Sequence, residues 1–515
     1  MKNRTKNVKS LFKAVALITV FSVITRALGF IFRIFLSRKL GGEGMGIYQV
    51  ALSFFGTFNA LVVSGIPVVL SRLVAKYDVT NKKASAYSAV TAGLIISVSI
   101  ALMLSGTLLL FRELFSKMFT DERCLAILIT LLPALVASGV YATLRGYLWG
   151  EKNFFSVCVT ELAEQILRIV FFVLMIGSAY TALDGALIAG KSLSIACVLS
   201  AVIVVISYFY YGGKLRSPKQ HFKEVAKSAA PITALRVASS LIQPLIAIII
   251  PLQLIAAGFT SEQALSQYGI ATGMTMPLLF LPSTLIGALA MALVPEISSV
   301  SEQKDTVLLK KRITSSIIFS IFAAAFLIPS FLGAGKEIGK FIFNNTPSGV
   351  YLQNAAWIMI PMAISQITST VLNSLGLEMK SFKNYVAGTI LSVIAILILP
   401  KYIGINALIV GMGLSVIVSA ILNIRMICKH AHMKITILKQ LMLVVLFILP
   451  SSLLTYFLIG ILSTVLPMFV ALALSCSAGT LMLGVLCVIF NLVDITKLSV
   501  RVRKTFIKKP TLGRT

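Results

Sequence analysis

Runs of about twenty apolar residues recur along the whole chain, and nothing constrains its fold more. A helix needs about 20 such residues to cross the hydrocarbon core of a bilayer. Fourteen stretches meet that length, with ends approximate: Ala14–Ser37, Ile47–Val74, Ala86–Leu110, Leu125–Leu148, Phe155–Ser178, Gly185–Tyr208 and Ser228–Ala256. The others are Tyr268–Leu293, Ile313–Leu332, Leu352–Ser374, Tyr385–Leu399, Ala407–Ile427, Leu438–Leu462 and Val465–Val493. Pro67, Pro133, Pro244, Pro277 and Pro282 fall within them, which membrane helices tolerate because neighbouring groups satisfy the freed backbone. Only 12% of the 515 residues are charged, about half the share in soluble proteins. The expected fold is an all-α polytopic membrane protein. The first run is too long for a cleavable signal peptide, carries arginines and lacks a small-residue cleavage site, so it is expected to remain as the first span.

The basic residues test this count independently. With the N-terminus in the cytoplasm, alternate loops and tails carry 32 Lys and Arg on the inner side and 8 on the outer side. The positive-inside rule favours that asymmetry, and a missed span would scramble it. Both termini are therefore expected in the cytoplasm. A net charge of +29 does not indicate nucleic-acid binding, since the cations sit in short segments between spans rather than in a basic domain.

The loops are too short for a soluble catalytic domain. No Walker A loop, dinucleotide fingerprint or nucleophile elbow is present. The six cysteines are scattered without metal-ligand spacing, so no metal or cofactor is expected. His221, His430 and His432 read as solvated loop residues among basic neighbours.

Six basic residues fall within or at the ends of spans: Arg26, Arg33, Arg145, Arg168, Lys191 and Arg236, opposed only by Glu161 and Glu164. An Arg at the bilayer centre costs about 2.5–3.5 kcal/mol on insertion scales, so such residues usually face water or a partner. Arg26 lies midway along the first span, and Arg33 follows two turns later on the same face, near enough to an end to snorkel instead. Glu161, Glu164 and Arg168 form one stripe on the fifth span. It reads either as functional or as an internal Glu164–Arg168 pair that serves packing. Arg145 reads as an interfacial anchor; Lys191 and Arg236 either snorkel or line a cavity. A mainly cationic set suits an anionic substrate, and the guanidinium fork matches phosphate oxygens. A lipid-linked pyrophosphate would fit, with its tail left in the lipid.

Several motifs resemble a known family. They begin with Thr25-Arg26-Ala27-Leu28-Gly29-Phe30-Ile31-Phe32-Arg33, then Gly41-Gly42-Glu43-Gly44-Met45-Gly46-Ile47-Tyr48-Gln49. Gly65-Ile66-Pro67, Arg145-Gly146-Tyr147, Gly150, Glu164-Gln165, Tyr268-Gly269, Thr272-Gly273-Met274, Met276-Pro277-Leu278 and Leu293-Val294-Pro295 follow in order. The pattern resembles the polysaccharide exporters related to stage V sporulation protein B, within the multidrug/oligosaccharidyl-lipid/polysaccharide (MOP) superfamily. That resemblance implies two six-helix lobes, residues 1–212 and 213–432, forming a V around a central cavity. Two added helices in 433–494 and a basic cytoplasmic tail, 495–515, complete the expected organisation. It also implies alternating access without ATP hydrolysis, and no enzymatic activity. In the lipid II flippases of the superfamily the first motif reads Ser-Arg-x-Leu-Gly-Phe-x-Arg-Asp, with both arginines in the cavity. Arg26 matches the first; Phe32 stands where the second would be, and Arg33 replaces the acid.

The leading expectation is a flippase of a polyprenyl-pyrophosphate-linked saccharide or peptidoglycan precursor in the bacterial cytoplasmic membrane. Its candidate cavity residues are Arg26, Arg33, Glu161, Glu164, Arg168 and Arg236. Its expected partners are the anionic lipid-linked substrate, membrane lipids and, for a role in spore cortex or wall synthesis, cell-wall proteins. An ion-coupled drug antiporter is the alternative within transport, disfavoured because the first span has no carboxylate. A membrane glycosyltransferase or ligase would need acidic or histidine residues on an outer catalytic loop, and these loops are short and nearly bare. A non-transporting scaffold for the wall machinery stays open.

Overall fold

The computed structural model describes residues 2–179, 181–303, 305–432, 437–490 and 492; the basic tail, 495–515, and Lys304 and Lys434 lie outside them. The described residues are helical, without strands. They divide into two compact units, one of the described residues up to 274 with 396–405, the other of those in 275–395 with 406–492.

The first unit contains α1 (Lys2–Val63), α2 (Ile66–Val79), α3 (Lys83–Leu110), α4 (Arg112–Met118), α5 (Arg123–Thr130) and α6 (Leu132–Gly150). It continues with α7 (Phe154–Met175), α8 (Ala182–Tyr210), α9 (Phe222–Ser240), α10 (Ile242–Ala256) and α11 (Ser261–Gly269). Helix α1 joins the first two expected spans and breaks at Gly41, where φ is 66°, a conformation that costs little only for glycine. Beyond the break, Gly42 and Gly46 form a small-residue seam: a Cβ on Gly46 would collide with the Leu265 carbonyl, and one on Gly269 with Gly42 and Gly46. Backbones pack this closely in membranes because dispersion, rather than hydrophobicity, drives helix association there. Gly146 against Pro67 and Gly150 against Val74 repeat the device between α6 and α2. Of the motif glycines, Gly42, Gly46, Gly146, Gly150 and Gly269 are thus packing residues, and Gly41 is a conformational one.

Prolines both open helices and interrupt them: Pro231, Pro251, Pro295 and Pro450 lie inside helices. Pro67 and Pro133 open α2 and α6, where the missing N–H has no intrahelical role. Between α2, α3, α6 and the ends of α8 and α9 lies a core of Leu70, Val74, Val90, Leu144, Tyr147, Leu148 and Tyr208. His221 departs from its expected solvated setting. It is 8% exposed, with Nδ1 3.1 Å from the Ser88 hydroxyl and its ring edge-on to Tyr77, because the loop between α8 and α9 folds back over α3.

The second unit holds α12 (Met276–Leu279), α13 (Leu281–Glu302), α14 (Thr306–Ala325), α15 (Ile328–Phe343), α16 (Thr346–Ala355) and α17 (Met359–Ser374). Then come α18 (Glu378–Ile398), its end and α19 (Pro400–Ile403) counted with the first unit, and α20 (Asn406–His430), α21 (Leu438–Val465) and α22 (Met468–Ile489). Asn423 of α20, fully buried, donates to Thr368 and Ser369 of α17 and accepts from Asn384 of α18. Such a satisfied node fixes register where an unpaired amide would be costly.

Eleven helices among the described residues are long and apolar enough to cross a membrane, and a bent pair, Ser261–Leu279 with Leu281–Gly287, makes a twelfth. One of the eleven, Leu17–Val79, is 63 residues long and contains the break at Gly41, so it has room for two crossings. The fifth expected span is α7, whose three charges, Glu161, Glu164 and Arg168, set it apart from the apolar eleven. Large apolar side chains such as Met103, Ile206, Leu446 and Phe457 remain more than half exposed, as a lipid-facing surface requires. The chain is a multi-pass membrane protein.

Candidate functional site

All six candidate cavity residues lie in the first unit, five of them on α1 and α7. The stripe on α7 does not pair with itself. Glu161 reaches Arg145 of α6 at 3.3 Å, and Glu164 accepts from Ser200 at 3.3 Å and Cys197 at 3.8 Å, both on α8. Arg168 donates to the Tyr48 hydroxyl of α1 at 2.8 Å and lies 5.0 Å from the centre of the Phe32 ring. Each member therefore addresses a different neighbouring helix, and no Glu164–Arg168 ion pair forms. Arg145 is not simply an interfacial anchor: it is a member of this network, its guanidinium 4.8 Å from the Trp149 ring.

Arg33 is committed too. Its Nε donates to the Gly273 carbonyl at 2.8 Å and its Nη2 to the Thr272 carbonyl at 3.1 Å. Those carbonyls belong to a π-helical turn, Ile270–Thr275. Its wider i→i+5 ladder is rare and tends to occur at functional positions. Thr272 ties the turn to the helix before it by donating its hydroxyl to the Tyr268 carbonyl at 2.7 Å. Snorkelling is thus not what Arg33 does.

Arg26 and Arg236 differ from both. Each is exposed, and neither side chain forms a hydrogen bond or ion pair among the described residues. One turn after Arg26, Gly29 faces Gln165 of α7: a Cβ there would sit 3.7 Å from Gln165 Nε2. That amide nitrogen is buried without a partner, as is Arg168 Nε. The structure thus joins Arg33, Arg145, Glu161, Glu164 and Arg168 to protein partners, and leaves Arg26, one turn from the Gly29–Gln165 approach, and Arg236 without such contacts among the described residues.

Sequence reasoning missed Tyr48, Phe32, Ser200 and the 272–273 carbonyls as partners. Phe32 carried a signal, since it replaces an arginine in the resembled motif and its ring now lies beneath Arg168.

The fold defines a multi-pass membrane protein built of helices long and apolar enough to cross a bilayer. Residues 11–301 match the family described as polysaccharide biosynthesis protein, and the chain belongs to that family, within the MOP flippases. It is 24% identical to stage V sporulation protein B of Bacillus subtilis (strain 168) over 431 residues, covering 80% of this chain and 82% of that protein. It is 21% identical to the lipid II flippase MurJ of the same organism, covering 82% and 83% of the two chains. Among solved structures, lipid II flippase MurJ in an inward closed conformation superposes with a TM-score of 0.73 at 14% identity, covering 92% of this chain and 98% of that one.

Proposed function

We propose that this protein moves a lipid-linked saccharide, carried on polyprenyl pyrophosphate, or a peptidoglycan precursor, across the bacterial cytoplasmic membrane by alternating access. The observation that carries the reading is the division of labour among the intramembrane arginines. Arg33 donates twice and Arg168 once to protein partners, whereas the Arg26 fork makes no hydrogen bond or ion pair among the described residues. A guanidinium left free in a membrane span faces water or a partner, and pyrophosphate oxygens match its fork bidentately. The likeness to a lipid II flippase supports the same substrate class. In this reading the chain makes fourteen crossings with both termini in the cytoplasm, and the lobes are residues 1–212 and 213–432.

Arg26→Ala tests the role of the free fork. In cells that depend on this protein, the variant abolishes complementation at normal membrane abundance, and Arg26→Lys restores only part of it, since an ammonium is a point charge. Full activity of Arg26→Ala removes Arg26 from the substrate site.

A second reading concerns coupling. Among the described residues Glu164 accepts only from a hydroxyl and a thiol, partners that serve a protonated carboxyl as well as an ionised one. Glu164 is thus the carboxylate through which a proton cycle would drive transport.

A further inference from the structure

The start of α18 and the end of α20 open a cavity of about 450 Å³ in the second unit, lined by Lys380, Met426, Lys429, His430 and His432. Two lysines and two histidines, all exposed, stand around it, and no carboxylate is among the lining residues. Neither lysine forms an ion pair among the described residues. Helix electrostatics accounts for half of the set: Lys429 and His430 occupy the last turn of α20, where the partial negative charge of the helix favours cations. Lys380 is the exception, because it stands in the first turn of α18, where that same effect opposes a cation and suits Glu378 instead. Two like charges, Lys380 and Lys429, one of them at the wrong end of its helix, are stabilised by an anion between them.

We propose that this cavity binds a phosphate group, carried by an anionic phospholipid headgroup or present as the free ion. Lysine ammoniums bind phosphate as point charges, and an imidazole adds an N–H donor. The volume falls in the range of small-molecule sites, larger than an isolated ion needs, and the Met426 side chain supplies an apolar wall for carbon atoms attached to the phosphate. The position fits as well. The cavity lies where two membrane-length helices end, the depth of the headgroups, and basic pockets between helix ends hold anionic lipid heads. The inference is independent of what the protein transports.

The test uses the full-length protein, stripped of lipid in detergent and titrated with short-chain phosphatidylglycerol, phosphatidylcholine or inorganic phosphate, with bound species counted by native mass spectrometry. Phosphatidylglycerol is retained in preference to phosphatidylcholine. In Lys380→Gln/Lys429→Gln its affinity falls about thirtyfold, as expected for two lysines at an anionic surface, while Lys380→Arg/Lys429→Arg stays close to the unaltered protein. Displacement of the lipid by millimolar inorganic phosphate identifies the free ion as a competing source; binding of the lipid alone identifies the headgroup. Should the double variant fail to fold, Lys429→Gln by itself lowers affinity about fivefold. Equal binding of phosphatidylglycerol and of phosphate by the variants and the unaltered protein overturns the proposal. Binding is read at equilibrium without transport, so a failure here leaves the flippase reading standing, and the reverse also holds.

Discussion

Arg168 and Tyr48, 120 residues apart in the chain, meet through a 2.8 Å hydrogen bond from guanidinium to phenol hydroxyl. Tyr48 is 1% exposed, so the bond ties α7 to the interior of α1 just beyond the Gly41 break. The Phe32 ring lies beneath the same guanidinium and Phe172 meets Phe32 edge-on. The charge is thus held by one polar and one aromatic partner, a suitable arrangement where water is scarce.

A charge swap asks whether the α7 stripe needs these particular neighbours. Glu164→Arg with Arg168→Glu keeps one charge of each sign but moves each to the other's partners. The new arginine would face Ser200 and Cys197, and the new carboxylate would face the Phe32 ring, whose negative face repels it. Transport is expected to be lost, measured by complementation at matched abundance. Normal transport in the swapped protein rejects the functional reading of the stripe.

Much of this arrangement was legible in the sequence, and the reason for the remainder is physical. Spacing alone put Glu161, Glu164 and Arg168 on one face, because helical periodicity is local. It could not name Tyr48, Ser200 or Arg145 as their partners, because tertiary packing chooses which helices meet that face. The internal Glu164–Arg168 pair was the simplest local solution, and three neighbouring helices outcompeted it. Likewise the segment expected between the spans ending at Ser37 and starting at Ile47 is helix on both sides of Gly41, since Gly42 and Gly46 can continue a helix when α11 packs against them. His221 looked like a loop residue because its neighbours are basic; the fold of the loop over Ser88 has no sequence signature.

Arg33 is expected to act on stability before transport. Arg33→Ala leaves two carbonyls of the π-turn without their donor, at a cost of about 1.5–3 kcal/mol for each charged hydrogen bond. Thermal unfolding in detergent should shift downward by several degrees, and Arg33→Lys should recover part of the loss. An unchanged unfolding temperature would contradict the clasp.

Between α4 and α5, Arg123 bridges Asp121 at 2.8 Å and Glu43 at 2.7 Å. Burial alone would push the Asp121 carboxyl up, but the side-chain and backbone N–H donors of Arg123 outweigh it and hold the carboxyl below its usual range. A lowered folded value contributes stability that is present above the unfolded value, near 4, and lost as pH falls through the folded one. Asp121→Asn should therefore cost about 1 kcal/mol at pH 7, with the difference from the unaltered protein shrinking below about pH 4. A penalty that stays constant down to pH 3 contradicts the pairing.

The orientation is open to direct labelling. In a background without native cysteines, Lys340→Cys should react with an impermeant maleimide applied to intact cells, and Lys219→Cys only after permeabilisation. The reverse pattern contradicts fourteen crossings with a cytoplasmic N-terminus.

The most direct measurement of the central claim is flipping itself. The purified protein is reconstituted into liposomes with defined polyprenyl-pyrophosphate saccharides, and the fraction of each reachable from outside is followed over time. The account expects the protein to accelerate transfer of at least one such lipid between leaflets, and Arg26→Ala to abolish the acceleration. Leaflet exchange no faster than in protein-free liposomes, for every lipid-linked saccharide tried, would contradict it and favour a scaffold.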